Sequence, residues 1–177
     1  ADMAEHFKTF VAENPEIHFS AGMVMTKPRH PVHTLTERAE EALEAAKGYS
    51  QGGRAAKNAV RLHGETVPWR DWPQLAALEE EVQRCADRYN LSAGYVYGLF
   101  HLIDLAADSG NIESVMWHSR FAYRTRRYVV DRLDRNERQG AKIEMTEIFG
   151  KIIGTLKGRF RIPLFNHFYS KRQGGKA

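Results

Sequence analysis

From Asp71 onward, the apolar residues of this chain recur only at helical spacing, whereas strand-like alternation is confined to the residues before it. The clearest alternation covers residues 17–25 and predicts a strand, and a second short strand is predicted at residues 58–63. Helical patterns come before each of these strands. The order predicts an α+β protein in which a mixed part precedes an all-α part.

The mixed part has few elements for a stable sheet. Its first helix pattern ends at Asn14-Pro15, and its second begins with a capping box of Thr34 and Glu37 and ends near Gly48. Two strands covered by two helices leave open sheet edges and little core. We therefore expect either that other strands come from another chain or, as we favour, that this sequence is a fragment of a longer one.

The all-α part contains four predicted helices. One begins after the cap residue Asp71 and one after Ser92, a long one covers residues 112–135, and a fourth carries Met145 to Leu156. Short polar connections between periodic segments predict a helical bundle. The two parts are predicted to be domains of residues 1–68 and 69–177.

Composition excludes several classes of protein. With 42% hydrophobic residues among 177, the chain can build a packed core and is not intrinsically disordered. No apolar run approaches the roughly 18 residues of a membrane span, and the N-terminus lacks a signal-peptide pattern. A single cysteine, Cys85, excludes an internal disulfide and lies on an apolar helix face as a core residue. We expect a soluble cytoplasmic protein without a membrane partner.

The basic residues are concentrated in the C-terminal third. Residues 116–177 carry 15 Lys and Arg against 5 Asp and Glu, although the whole chain is only +4. Arg120, Arg124 and Arg127 share one face of the predicted long helix, Arg126 adds charge beside them, and tyrosines are interleaved. This pattern predicts contact with a nucleic acid or an acidic partner.

An alternative for the same helix is intrahelical ion pairing at a spacing of four residues. The possible pairs are Arg127 with Asp131, Asp131 with Arg135, and Asp134 with Arg138. A solvated basic surface is the third possibility.

A second group of candidates lies in the mixed part. Lys47 ends the second helix and Lys57 follows a glycine-bearing loop, so both cations are candidates for holding a triphosphate. The alternative is that Lys47 complements the helix dipole while Lys57 is only solvated. Ser20 lies on the first strand without a histidine to activate it, so it is not expected to be a nucleophile. No metal site is predicted.

Several segments resemble one known family. These are residues 17–24 (IHFSAGMV), 27–31 (KPRHP), 39–47 (AEEALEAAK), 57–60 (KNAV) and Trp69. They resemble the second palm domain of the large subunit of type III-A (Csm-type) CRISPR effector complexes, a ferredoxin-like, nucleotidyl cyclase-like fold. They are more distantly similar to diguanylate cyclases of the GGDEF class. Trp117 and residues 121–124 resemble that subunit's C-terminal helical domain.

The resemblance implies a function in antiviral defence. The family's palm domains bind ATP with Mg or Mn and synthesise cyclic oligoadenylates when the complex holds target RNA. Lys47 and Lys57 then correspond to positions that contact the triphosphate, and Ser20 is a further candidate nucleotide contact. The family's Gly-Gly-Asp-Asp signature, whose aspartates hold the metals, is absent from this sequence. We therefore expect no catalytic residue in this chain, no cofactor bound by this chain alone, and no oligoadenylate synthesis by the chain without the rest of the subunit.

The implied partners are the other CRISPR effector subunits, the guide and target RNA, and the remainder of the same large subunit. Two alternatives of different classes stay open. The chain could be a non-catalytic helical module that binds RNA or protein in such an assembly, or a fragment of a GGDEF-like nucleotidyl cyclase.

Overall fold

The computed structural model describes residues 2–51, 54–55, 57–108, 110 and 112–174. The chain divides into two compact units, Ala1–Ala76 and Ala77–Ala177, which we call unit 1 and unit 2. The division falls inside a helix, whereas the 68/69 boundary expected from the sequence coincides with the end of a strand.

Unit 1 alternates helices and short strands. Its elements are α1 Asp2–Phe10, β1 Ala21–Gly22, α2 Val32–Lys47, β2 Ser50–Gln51, β3 Arg54–Ala55, β4 Ala59–Leu62 and β5 Glu65–Pro68. In the main sheet the strand order is β1-β4-β5, with β1 parallel to β4 and β5 antiparallel to it. Separately, β2 and β3 form a short antiparallel pair within a segment for which the sequence predicts only a loop.

The strand predicted at residues 17–25 is much shorter than expected. Only Ala21 and Gly22 pair with β4, in register with Val60 and Arg61, although the Met23 N–H also donates to the Arg61 carbonyl at 2.8 Å. A strand extends only as far as a neighbour offers hydrogen-bonding groups, and β4 has four residues. The mixed α+β class is confirmed.

The predicted capping box at the start of α2 is wrong. The helix begins at Val32, so Thr34 lies inside it and Pro31 occupies the N-cap position without a side-chain hydrogen bond. The Pro31 carbonyl accepts a hydrogen bond from the Leu35 N–H at 3.2 Å, so the helix starts before the expected cap. The Thr36 hydroxyl instead donates to the Val32 carbonyl at 3.2 Å.

The β4–β5 hairpin supplies the strand that the sequence did not predict. Its two loop residues, His63 and Gly64, both have positive φ angles, 52° and 83°. Such a pair is typical of the tight turn whose twist matches an antiparallel hairpin. The hairpin gives β4 a partner on each side and buries Val60 and Val67 completely.

Helix α2 packs closely against the sheet. Ala42 and Ala46 are buried on its inner face. A side chain at Gly22 would overlap the backbone of Ala42 and Leu43, so this strand position accommodates only glycine. Close approach of the helix therefore fixes the position of β1 in unit 1.

Unit 2 is helical over its described residues. After a 3-10 turn at Trp69–Asp71, α3 Trp72–Arg88 leads into the unit, which continues with α4 Ala93–Ala107, α5 Trp117–Tyr128, α6 Arg135–Met145, α7 Lys151–Leu156 and α8 Arg161–Gly174. A π-helical turn at Thr146–Gly150 joins α6 to α7. Ser92 caps α4 as predicted, because its Oγ accepts a hydrogen bond from the Tyr95 N–H.

The core of unit 2 is large and aromatic. Tyr95, Phe149 and Phe160 are almost completely buried, and the Phe149 ring meets Tyr95 edge to face with centroids 6.5 Å apart. The prediction that Cys85 lies in the core is confirmed, since it is fully buried and its Sγ lies 3.4 Å from Sδ of Met145.

The prediction of one long helix at residues 112–135 is wrong. The chain forms a 3-10 turn at Ile112–Met116, then α5, and a second 3-10 turn at Val130–Arg132. Val129 leaves helical geometry at φ −122° and ψ −66°. Successive residues of a helix point in different directions, so this break lets the neighbouring Val129 and Val130 both be buried.

No helix in the described ranges is both long and apolar enough to cross a membrane.

Candidate functional site

The topology of unit 1 brings Ser20, Lys47 and Lys57 to one end of the sheet. Because β1 and β4 are parallel, both strands begin at the same end, where Ser20 precedes β1 and Lys57 stands two residues before β4. Helix α2 connects these strands and must run back across the sheet, so its last residue, Lys47, returns to that end. We call this group the strand-start site.

Hydrogen bonds to backbone carbonyls join the segments that carry these residues. The indole Nε1 of Trp69 donates to the Phe19 carbonyl at 3.1 Å, and the Trp69 N–H donates to the Asn58 carbonyl at 3.1 Å. The Lys57 N–H donates to the Tyr49 carbonyl at 3.2 Å. Trp69 thereby links the residue before Ser20 to the residue after Lys57, which gives this tryptophan a positioning role that its sequence context did not reveal.

Aromatic side chains pack against one another at the same end of the sheet. The Phe19 ring lies between Phe7 and Trp69, with centroids 4.6 Å and 4.8 Å away, and the Trp72 ring lies 5.8 Å beyond Trp69. Ring contacts of this kind fix the orientation of their neighbours more firmly than single aliphatic contacts do.

The side chains of the strand-start site remain available to a ligand. Lys47 is exposed and its Nζ lies 2.8 Å from Glu44, an exposed pair of little energetic weight. Within the described chain, neither the Ser20 hydroxyl nor the Lys57 ammonium has a hydrogen-bond partner. Lys57 and Asn58 both have positive φ, 42° and 46°, a conformation unusual for residues other than glycine.

These residues fit phosphate better than they fit a metal. Two ammonium groups and a hydroxyl are donors for phosphate oxygens. Metal ions such as Mg²⁺ need oxygen ligands, chiefly carboxylates, and the described residues contain no group of three His, Cys, Asp or Glu placed to hold one.

In unit 2, a groove between α4 and α5 contains three of the four predicted arginines. Arg120, Arg124 and Arg127 line it together with His101, Tyr123 and Tyr128, and it encloses about 560 Å³. Tyr123 is 66% exposed, so its ring is open to stacking. We call this surface the α4–α5 groove.

Arg124 is held rigidly in this groove. Its guanidinium donates to the carbonyls of Gly94 and Tyr95, the latter at 3.3 Å, and lies 5.0 Å from the centroid of the Tyr128 ring. Gly98 makes the arrangement possible, because a Cβ there would overlap the guanidinium. An arginine fixed in this way loses little side-chain entropy when it contacts an anion.

The other arginines differ in their ion pairs. Arg120 donates to Glu113 at 3.1 Å, and Arg127 forms no ion pair with any described residue. Arg126 lies 3.6 Å from Asp131, so the predicted pairing of Asp131 with Arg127 is wrong. The break at Val129 explains the difference, since Asp131 no longer follows α5 at helical spacing.

Arg126 does not line the α4–α5 groove with the other three. It lines a separate cavity between α5 and α6, together with Arg138 and Lys142. The sequence spacing predicts that Arg126 lies beside the other three arginines. It does not indicate Lys142, because α5 and α6 come together only after the chain reverses between them.

The lone cysteine lies in the core of unit 2 and outside both candidate sites. Burial, with a smaller contribution from Glu144, raises the pKa of the Cys85 thiol to about 12. A raised pKa favours the protonated thiol over the reactive thiolate.

In unit 1, a parallel strand–helix–strand connection brings Lys47 and Lys57 to one end of the sheet. Residues 1–60 match the family Cas10/Cmr2, second palm domain. The matched residues include all three members of the strand-start site. Comparison with curated proteins and with solved structures gave no match.

Proposed function

We propose that this chain is part of the large subunit of a type III-A (Csm-type) CRISPR effector complex. Unit 1 contributes to ATP binding during cyclic oligoadenylate synthesis, and unit 2 contributes to complex assembly and RNA contact. The observation that carries the proposal is that the family match covers the same end of the sheet as Ser20, Lys47 and Lys57.

Phosphate chemistry assigns each residue a role. Oligoadenylate synthesis joins a ribose hydroxyl oxygen of one nucleotide to the α-phosphorus of ATP and releases pyrophosphate. Lys47 and Lys57 stabilise the negative charge that develops on the pyrophosphate, without a change in their own protonation, and Ser20 donates a hydrogen bond to the nucleotide. Bound Mg²⁺ or Mn²⁺ supplies further charge stabilisation, and we assign its ligands to the remainder of the large subunit.

Substitution of Lys47 tests the nucleotide role. In the assembled complex with target RNA, Lys47→Ala is expected to lower oligoadenylate synthesis by on the order of 10²-fold, as loss of a single charge-stabilising donor does in other sites. The matched control is Lys8→Ala, since Lys8 lies in the last turn of α1 in unit 1 and pairs with a glutamate three residues earlier. The control is expected to keep full synthesis.

The measurement is the rate of ATP conversion at saturating target RNA, with RNA affinity measured alongside. Full activity in the Lys47→Ala complex would contradict the triphosphate role and leave Lys47 as a residue that only complements the helix dipole, an effect of at most about 1 kcal/mol on stability.

The α4–α5 groove favours a second activity, the binding of RNA by unit 2. Replacing Arg120, Arg124 and Arg127 with Glu is expected to weaken RNA binding by at least tenfold at low salt, and the difference is expected to shrink as salt rises. The matched control places the same charge change elsewhere in unit 2, at the exposed Arg84, Arg135 and Lys151.

A second variant tests the groove without changing its charge. In Gly98→Ala, the new Cβ displaces the Arg124 guanidinium, so RNA binding is expected to weaken while the helix stays folded. Equal RNA affinity of the groove variants and the control at low salt would exclude the groove as the contact surface.

A further inference from the structure

The cavity between α5 and α6 has a composition that the proposed function does not use. We propose that it binds a nucleoside phosphate, with the phosphate held by Arg126, Arg138 and Lys142 and the ring packed against Phe121 and Val130. We call it the α5–α6 cavity.

Cations dominate the polar lining of this cavity. Arg126, Arg138 and Lys142 line it with a single carboxylate, Asp131, so an anionic ligand is favoured over a cationic one. The distance from Nε of Arg126 to the Asp131 carboxylate, 3.6 Å, is long for a hydrogen bond, and Lys142 forms no ion pair with any described residue. Both side chains therefore keep donors for a ligand.

Arg138 is fixed in place before any ligand binds. Its Nε donates to the Leu133 carbonyl at 2.9 Å, and one Nη lies 3.5 Å from the Asp131 carbonyl. These contacts use only part of the guanidinium, which has five N–H donors. A guanidinium with its orientation set by the backbone suits the paired oxygens of a phosphate group.

The apolar residues that line the cavity suit a ring. Phe121 and Val130 are 4% and 8% exposed, so both are anchored in the core while lining the cavity, and the small Ala122 lines it as well. The cavity volume of about 510 Å³ lies within the roughly 300–1,000 Å³ of small-molecule sites. A lining that combines apolar residues with three cations matches a ligand that joins a ring to a phosphate better than inorganic phosphate alone.

Two backbone irregularities build this cavity. The break of α5 at Val129 turns Val130 and Asp131 toward it, and the π-helical turn that begins at Thr146 contributes Thr146 to its lining. π-Helical turns are rare and occur frequently at functional sites. On the far side of that turn, a Cβ at Gly150 would lie 3.0 Å from the Phe121 ring, so the small residue lets the turn lie close to the apolar wall.

Calorimetric titration of the 177-residue chain with AMP tests the proposal. We expect AMP to bind the unaltered chain, adenosine to bind at least tenfold more weakly, and Lys142→Ala to weaken AMP binding by about tenfold, as expected for loss of one hydrogen bond from a charged donor. The matched control is Lys151→Ala, because Lys151 is also exposed and pairs with Glu147 outside the cavity.

A second variant keeps the test independent of charge. Ala122→Phe fills the apolar end of the cavity from an exposed helix position, so it is expected to abolish AMP binding while the thermal unfolding temperature without ligand is kept. AMP is expected to raise that temperature in the unaltered chain and not in this variant.

A parallel titration with a short oligoadenylate identifies the source of the nucleoside phosphate. Binding of either AMP or the oligoadenylate that Lys142→Ala weakens and Lys151→Ala does not supports the proposal, and the tighter of the two is the source. Failure of both ligands to bind at millimolar concentration overturns it, as does binding that Lys142→Ala and Ala122→Phe leave unchanged. Loss of oligoadenylate synthesis in Lys47→Ala tests unit 1 separately.

Discussion

The two units hold the cations of their candidate sites in different ways. In unit 1 the backbone does the positioning, because strand starts and a helix end converge while the Lys47 and Lys57 side chains stay exposed. In unit 2 the side chains themselves are fixed, as Arg124 and Arg138 donate to backbone carbonyls. Lysines on converging chain ends can follow a phosphate that moves, whereas fixed arginines offer a preformed site.

The cores of the two units also differ in the residues that they bury. Unit 1 buries mainly alanine, valine and leucine together with Trp69, while unit 2 buries a continuous cluster that is rich in aromatic and long aliphatic residues. The positions of the arginines in unit 2 therefore depend on a rigid core. The positions of the lysines in unit 1 depend on close packing of backbone segments.

The largest expected effect comes from opening the core of unit 2. Phe149→Ala is expected to lower the free energy of unfolding by about 3–5 kcal/mol, because the residue is fully buried against Tyr95 and Phe160. Urea titration followed by circular dichroism gives the value. The control is Ile143→Ala, which is 55% exposed and is expected to change stability by less than about 0.5 kcal/mol. A small loss in Phe149→Ala would show that this core is not what fixes the helices.

Adding one methyl group is expected to change the free energy of unfolding in opposite directions in the two units. Gly22→Ala is expected to cost about 1–3 kcal/mol, because the new Cβ meets the backbone of α2, which cannot move aside as a flexible side chain can. Gly140→Ala lies in α6 with no atom within 4 Å of the new Cβ, so it is expected to stabilise by about 0.5–1 kcal/mol. The same urea titration measures both, and equal signs would refute the close packing inferred for β1.

The smallest expected effect is a dependence on pH in unit 2. The Tyr89 hydroxyl donates to Glu144 at 2.5 Å, and Arg88 donates to the same carboxylate oxygen at 2.9 Å. Burial, followed by the hydrogen bond to Glu144, raises the pKa of Tyr89 to about 12 from 10.0. Between these values the unfolded chain binds fewer protons than the folded chain, so the free energy of unfolding is expected to fall as pH rises.

Tyr89→Phe is expected to make that fall shallower between pH 10 and 12, as measured by urea midpoints at several pH values. Some slope is expected to remain, because the buried Cys85 thiol has its pKa raised in the same direction. The control is Tyr97→Phe, at a position 58% exposed, which is expected to keep the full slope. Identical slopes in all three proteins would contradict the role given to the contact between Tyr89 and Glu144.

Local sequence patterns were sufficient to predict the class of fold and many of the buried core residues. Helical spacing correctly predicted that Cys85, Leu99 and Phe149 are buried, and Ser92 correctly marked the start of α4. These features depend on a few neighbouring residues, which is why spacing alone reveals them. Four of the segments that carry the family resemblance lie before residue 61, within the range that the family match covers, whereas Trp69, Trp117 and residues 121–124 lie outside it.

Tertiary structure decided where strands pair and which cations share a surface. The sequence did not predict β5, because its turn, His63-Gly64, is favourable only when a strand is present to pair with β4. It also placed Arg126 with Arg124, whereas the structure separates them and groups Arg126 with Lys142. Burial of both Val129 and Val130 ends α5 and turns the chain, and such a requirement depends on packing between distant segments rather than on local spacing.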